Sequence, residues 1–329
     1  MTQDVAPAPN LAFPFPTGLP SARGYWSRAW GRLLRNRIAV LGLGVIALLA
    51  IVALLAPLIA PHDPAAQDVL NARESPSLSH LGGTDNLGRD IMSRLIYGAR
   101  VSLTVGILAQ AVVMGIGLPL GLIAGFRGSW ADTAIMRFTD LVYAFPDLLF
   151  IILLRAVLGG NILTLFLIIG FVTWVDMARL VRGQVLSLRE REYVLAARAM
   201  GATDREMMTR HLLPNLTGPV VVMIALGIPR AIFIEAALSF IGFGVDPRTP
   251  SWGSMVQEGQ TGIVGGNLHL VIFPAAAIAL LTLAFTFFGD GLRDALDPNV
   301  DDSPRPREDA ETPRRSRDGE TPQQLPRAA

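Results

Sequence analysis

Apolar residues along this chain gather in long unbroken blocks, neither alternating as in a half-buried strand nor striped as on a surface helix. Three blocks, residues 38–60, 101–126 and 268–289, hold no aspartate, glutamate or arginine. Each reaches the ~20 residues that a helix needs to cross about 30 Å of hydrocarbon. Three more are interrupted: 138–154 by Asp140 and Asp147, 156–175 by Gly159, Gly160 and Asn161 near its start, and 216–243 by Arg230 and Glu235. A charge facing lipid near the bilayer centre costs roughly 2.5–3.5 kcal/mol or more. The interrupted blocks are therefore expected in the interior of a bundle, with Asp140, Asp147, Arg230 and Glu235 lining a pathway or forming buried ion pairs. Arg230 and Glu235 stand five apart, a poor helical pairing, so each is expected to find its partner on another helix. The pattern predicts an all-α integral membrane protein with six transmembrane helices.

Smaller signals refine this picture. Gly117, Gly121 and Gly125 make a ridge of small residues that lets helices approach closely. Pro119 and Pro146 are expected to kink their spans. Residues 24–37 place Trp26, Trp30, Leu33 and Leu34 at helical spacing with arginines elsewhere on the wheel. That stretch reads either as a helix lying in the membrane interface or as an arginine-rich flank. Residues 1–23 and 298–329 are rich in proline and polar residues and are expected to be disordered tails.

Composition supports a membrane protein and removes several other classes. Of the 329 residues, 51% are hydrophobic and 17% charged, with a mean hydropathy of +0.44, too apolar for an ordinary soluble domain. There is no cysteine, and all 28 basic residues are arginine. Without lysine the chain has no phosphate-binding G-x-x-x-x-G-K-[ST] loop, so it is not expected to hydrolyse ATP or to be an enzyme. If the N-terminus is cytoplasmic, 21 arginines fall on the cytoplasmic side and six on the other. The positive-inside rule then puts both termini in the cytoplasm. The four histidines, His62, His80, His211 and His269, show no ligand spacing along the chain, and no bound metal or cofactor is expected.

Between the fourth and fifth blocks, residues 187–215 are too long for a mere connector. Ser187 to Glu190 and Thr203 to Glu206 are capping-box patterns, each expected to open a helix. Gly201 lies between them, where positive φ would turn the chain, and Pro214 is expected to end the second helix. The result is a compact helical knob on the cytoplasmic face. Asp85, Arg89 and Asp90, beside glycines, read as a turn and helix start with Asp90 paired to Arg94 one turn on. The alternative is that they join Trp252 in a docking face on the outside.

The knob resembles the cytoplasmic signature of ABC importer permeases, Glu-Ala-Ala followed by Gly and then Leu-Pro. Ala196, Ala197, Gly201, Leu213 and Pro214 fall at the matching positions, while Leu195 stands for the glutamate. His80 to Asp85, Gly88 to Asp90, Glu235 to Gly242, Pro250 to Gly253 and Gly289 to Pro298 extend the resemblance to the second permease of the peptide/nickel family. That resemblance implies one transmembrane half of a binding-protein-dependent importer in a bacterial or archaeal plasma membrane. It further implies a second homologous permease, two cytoplasmic ABC ATPases that bind ATP and Mg2+, an external substrate-binding protein, and no nucleic acid. The coupling set would be Ala196, Ala197, Gly201, Arg205, His211, Leu213 and Pro214. Relatives with these motifs carry dipeptides, oligopeptides, nickel complexes or sugars. A self-sufficient secondary transporter is the competing class.

Overall fold

The computed structural model describes residues 22–245 and 249–297; the expected tails lie outside them, except residues 22 and 23, which open the first helix. Among the described residues the backbone is helical throughout, apart from turns, loops and one isolated bridge between Thr84 and Asp90.

Helix α1 (Ala22–Arg35) covers the stretch rich in tryptophan and arginine. Asn36 ends it and caps α2 (Arg37–Leu54), its Oδ1 accepting hydrogen bonds from the backbone N–H of Ile38 and Ala39 at 3.2 Å. A short α3 (Ala56–Ile59) follows, then a long loop to Asp90, the N-cap of α4 (Ile91–Arg127). Helix α4 runs unbroken through Pro119. Next come α5 (Ser129–Tyr143), α6 (Asp147–Leu158) and α7 (Ile162–Leu188). The knob holds α8 (Glu192–Ala199) and α9 (Asp204–Glu206), the latter continuing through a wide π-type turn, Met207–Leu212, into α10 (Leu213–Phe240). Helices α11 (Trp252–Val264) and α12 (His269–Leu296) complete the described chain.

Five helices, α2, α4, α7, the α9–α10 unit and α12, are long and apolar enough to cross a membrane. The expected third span, 138–154, is not one straight helix. It is divided between α5 and α6, which diverge by 84° and form either a broken sixth span or a re-entrant loop. The break falls at Ala144 and Phe145 before Pro146, because proline offers no N–H to continue α5 and disfavours helical backbone in the residue before it. The fourth crossing begins at Ile162 instead of residue 156. Gly159, at φ +81°, ends α6, and Asn161 caps α7 by accepting a bond from Thr164 N–H at 2.8 Å.

Two expectations for the knob are also corrected. The first capping box is absent: Ser187 lies inside α7, whose apolar face keeps the helix going to Leu188, and α8 starts after Arg191 with no side-chain cap. Pro214 does not end a helix. It sits in the first turn of α10, and the preceding turn widens so that Leu213 N–H bonds Met208 O, a span of five residues that accommodates the missing proline donor.

Helices α4 and α7 make the most extensive contact, along the glycine ridge. A Cβ on Gly117 would lie 2.7 Å from Trp174 O, on Gly121 2.5 Å from Ala178 O, and on Gly125 2.7 Å from Val185 Cβ. Backbone meets backbone there, which no larger side chain permits. Gly42 plays the same part between α2 and α12, 2.5 Å from Ala284 O. Val105, Ile151, Leu165, Ile169 and Leu238 fill the core among α4, α6, α7 and α10.

The contacts sort the helix termini into two ends. At one end Arg189 donates to Gly125 O and Arg198 lies over the Phe126 ring, so the knob seats on the C-terminal ends of α4 and α7. At the opposite end the 60–90 loop meets the N-terminus of α4 and helix α11. Gly121→Ala is expected to destabilise the fold by about 1–3 kcal/mol through overpacking. Gly115→Ala, whose Cβ meets nothing within 4 Å, is expected to leave the melting temperature of the purified protein in detergent unchanged.

Candidate functional site

Three constellations carry the polar chemistry of the bundle. The first is the knob. Gly201 holds φ +88° with no atom near its missing Cβ, so its requirement is conformational, not steric. A residue with a side chain is strained in that region. The second capping box forms as expected: Thr203 Oγ1 accepts from Glu206 N–H at 3.3 Å, and the Glu206 carboxylate accepts from Thr203 N–H at 3.1 Å.

Val194, Ala197, Met207 and Leu212 are buried against Phe126, Met177, Val181 and Val185, which pins the knob to the bundle. Its other face is open. Met200 is 82% exposed, Leu195 50% and Tyr193 44%, beside exposed Ala196, Gly201 and Arg205. His211 and Leu213 are half-buried and Pro214 is exposed. Apolar side chains thus stand beside charged ones on the outer face of the knob.

The second constellation lies between helices. Arg230 on α10 bonds Asp176 on α7 at 2.5 Å and Asp147 at the start of α6 at 2.8 Å. All three remain partly exposed. The cluster carries one more negative than positive charge and borders a cavity of ≈ 30 Å³ lined by Gln110, Thr173 and Gly227. Asp140 stands apart, exposed on α5 and 2.9 Å from Arg179. Glu235 is fully buried, and its bond goes to Ser239 on its own helix at 2.8 Å. The expectation of a partner on another helix thus holds for Arg230. For Glu235 the neighbours are uncharged: among the described residues it forms no ion pair, and besides Ser239 its carboxyl meets the hydroxyls of Ser251 and of Ser102 on α4.

The third constellation knits the far end. Asp85 accepts from Leu87 N–H at 2.8 Å, Arg89 N–H at 3.0 Å, Arg89 Nε at 2.6 Å and Arg94 Nη1. Glu258 on α11 accepts from Arg89 Nη2 at 2.5 Å and from Arg94 Nη1 and Nη2 at 2.6 and 3.1 Å. Two guanidinium groups and two carboxylates therefore form one network that ties the loop to α4 and α11. Gly88, at φ +74°, lies so close to the Asp68 backbone that a Cβ would collide with it.

The expected pairing of Asp90 with Arg94 does not occur. Asp90 faces the α4 N-terminus, where Oδ2 accepts from Ser93 N–H at 2.7 Å, and Oδ1 accepts from His80 Nδ1 at 3.0 Å. Burial opposes its ionisation, yet the hydrogen bonds from Ser93 and His80 and the field of His62 hold the carboxyl below its ordinary value. Asp85, Arg89 and Asp90 are buried, and Trp252 is 1% exposed, with Nε1 donating to Leu95 O at 2.9 Å. These four offer no outer docking face; they are internal supports.

Sequence reasoning missed Asp176, Glu258 and Arg182, which bonds Asp132 across α5 and α7 at 2.5 Å. It also missed Arg155. Arg155 is buried and donates to carbonyls of Gly159, Asn161, Phe243 and Gly244, joining the α6–α7 turn to the end of α10. Among the described residues, His62, His80 and Asp90 converge closely enough to hold a metal ion.

Comparison with known proteins adds to this geometry. Residues 117–302 match the family described as binding-protein-dependent transport system inner membrane component, and residues 24–76 match the N-terminal TM domain of oligopeptide transport permease C. The dipeptide transport system permease protein DppC of Bacillus subtilis is 40% identical, over 84% of this chain and 86% of its own length. The oligopeptide transport system permease protein OppC of the same organism is 41% identical, over 84% and 90%. The glutathione transport system permease protein GsiD of Pectobacterium atrosepticum is 42% identical, over 85% and 93%. A solved inward-facing structure of the MetNI methionine ABC transporter aligns with a TM-score of 0.51 at 19% identity, covering 63% of this chain and 98% of its own, a likeness of fold.

Glu258→Ala leaves Arg94, 1% exposed, with Asp85 as its remaining carboxylate. A loss of roughly 3–5 kcal/mol is expected from breaking this buried network. Glu190→Ala, which removes an exposed pair with Arg189, is expected to change stability by less than about 1 kcal/mol. Thermal unfolding of the two purified variants makes the comparison.

Proposed function

The chain belongs to the binding-protein-dependent transport system inner membrane component family, and on that premise we propose that it forms one half of the membrane pathway of an ABC importer for short peptides. It is a multi-pass permease of the bacterial inner membrane, and permeases of this kind work with ATPase and other subunits. The proposal adds the particulars: a second homologous permease, two cytoplasmic ATPases that carry the ATP and Mg2+, and an external substrate-binding protein. Peptide cargo rests on the relatives, whose names specify dipeptide, oligopeptide and glutathione transport. In this reading both termini and the knob face the cytoplasm, which the arginine excess supports.

The knob carries the proposal. It is rigidly seated through Val194, Ala197, Met207 and Leu212, and it turns Tyr193, Leu195 and Met200 outward. In this reading Leu195 replaces an electrostatic contact to the ATPase with an apolar one. Closure of the two ATPases pulls the knobs together, and rigid helices α7 and α10 transmit the movement to the far end, which alternates access to the pathway. Arg230, Asp147 and Asp176 line that pathway and present both charge signs, suited to a zwitterionic cargo.

The full complex reconstituted in vesicles tests this. Replacing Gly201 by Val together with Arg205→Glu is expected to lower ATP-driven dipeptide uptake roughly tenfold or more, the scale of a lost coupling free energy, while the complex stays assembled and its ATPase still turns over. Undiminished uptake by that variant rejects docking through the knob. Dipeptide uptake by the isolated chain under an ion gradient alone rejects the importer reading in favour of a secondary carrier.

A further inference from the structure

His62 and His80 are 18 residues apart and neither belongs to a helix, so their positions along the chain give no ligand pattern. The fold brings them together over the capping carboxylate of α4. His80 Nδ1 lies 3.0 Å from Asp90 Oδ1, and His62 Nδ1 lies 3.7 Å from Asp90 Oδ2. The two rings are 4.7 Å apart between centroids, and one ligand atom from each of the three residues falls within 4.8 Å of the others.

Those distances suit a shared ion. Nitrogen and oxygen ligands at about 2.0–2.1 Å from a tetrahedral zinc-class ion are roughly 3.3 Å from one another, between the two separations seen. The site is also held in place beforehand. Asp90 is 3% exposed and fixed by Ser93 N–H, while Ser93 Oγ accepts the His62 backbone N–H at 2.9 Å. One turn of α4 therefore positions two of the three ligands. The His62 side chain is 42% exposed, which leaves a coordination position open to water.

We propose that His62, His80 and Asp90 bind a single divalent transition-metal ion of the zinc class, clamping the 60–90 loop to the N-terminus of α4. Two imidazoles and one carboxylate favour such an ion over calcium or magnesium, which take mainly oxygen ligands. Without the ion, His80 Nδ1–H donates to Asp90; on metal binding the neutral ring shifts that proton to Nε2, and both imidazoles coordinate through Nδ1. The positive end of α4 works against a cation and the Asp90 charge offsets it, so micromolar affinity is expected in place of the tight binding of a closed structural site. The proposal does not depend on the cargo or on the knob.

The test uses the full-length chain purified in detergent, its affinity tag removed and its metals stripped by a chelator. Titration with Zn2+ against a chromophoric competitor is expected to show one equivalent bound, with a rise in melting temperature. His62→Ala and His80→Gln are each expected to weaken binding at least about tenfold, the effect of losing one ligand. His62→Ala removes an exposed side chain that makes no hydrogen bond the fold requires, so its melting temperature without metal reports that it remains folded. Co2+ bound to the unmodified chain is expected to show ligand-field absorption that is absent in His62→Ala. No stoichiometric Zn2+ binding by the unmodified chain, or binding by both variants as tight as that of the unmodified chain, overturns the proposal.

Discussion

The bundle depends on the close approach of α4 and α7. In a bilayer, lipid tails are as apolar as leucine, and burying apolar side chains against a neighbouring helix gains little over leaving them in lipid. Tight van der Waals contact must hold the helices together, and it needs backbones brought close. Gly117, Gly121 and Gly125 provide this by presenting no side chain to the carbonyls of Trp174, Ala178 and Arg182. Because the ridge runs down to the end of α4, it also fixes where Phe126 and the Gly125 carbonyl meet Arg198 and Arg189 of the knob.

Charge is distributed along this frame according to what must move and what must not. At the end away from the knob, Asp85, Arg89, Arg94 and Glu258 form a closed network, and Arg155 is surrounded by carbonyl groups. Such groups lock their elements, since separating them would leave uncompensated charge buried. The Arg230 cluster differs: its members are partly exposed and reach across three helices, α6, α7 and α10. Water competes for bonds this exposed, so each holds its helices less firmly than the closed network does.

Much of this architecture was legible in the order of residues. The long apolar blocks located the crossings, the glycine spacing located the tight helix pair, and the Thr203 box with Gly201 located the turn of the knob. These signals are local, acting within a few residues of chain. What was not legible required partners distant in sequence. Glu258 lies 169 residues from Arg89, and nothing beside either residue announces the other. The Ser187 box failed because α7 gains more by continuing its buried face than by stopping at a cap. Asp90 chose the amide and imidazole beside it over a guanidinium one turn away.

The widened turn at Met207–Leu212 has a geometric corollary. An α-helix advances about 100° per residue, so accommodating one residue more than regular winding allows resets the angular phase of everything before it relative to α10. The azimuth at which the knob faces is thus set by winding upstream of Pro214, independently of the apolar residues on its surface. Excising a single residue there would swing the knob around the α10 axis while sparing its composition, so orientation and chemistry are separately encoded in this segment.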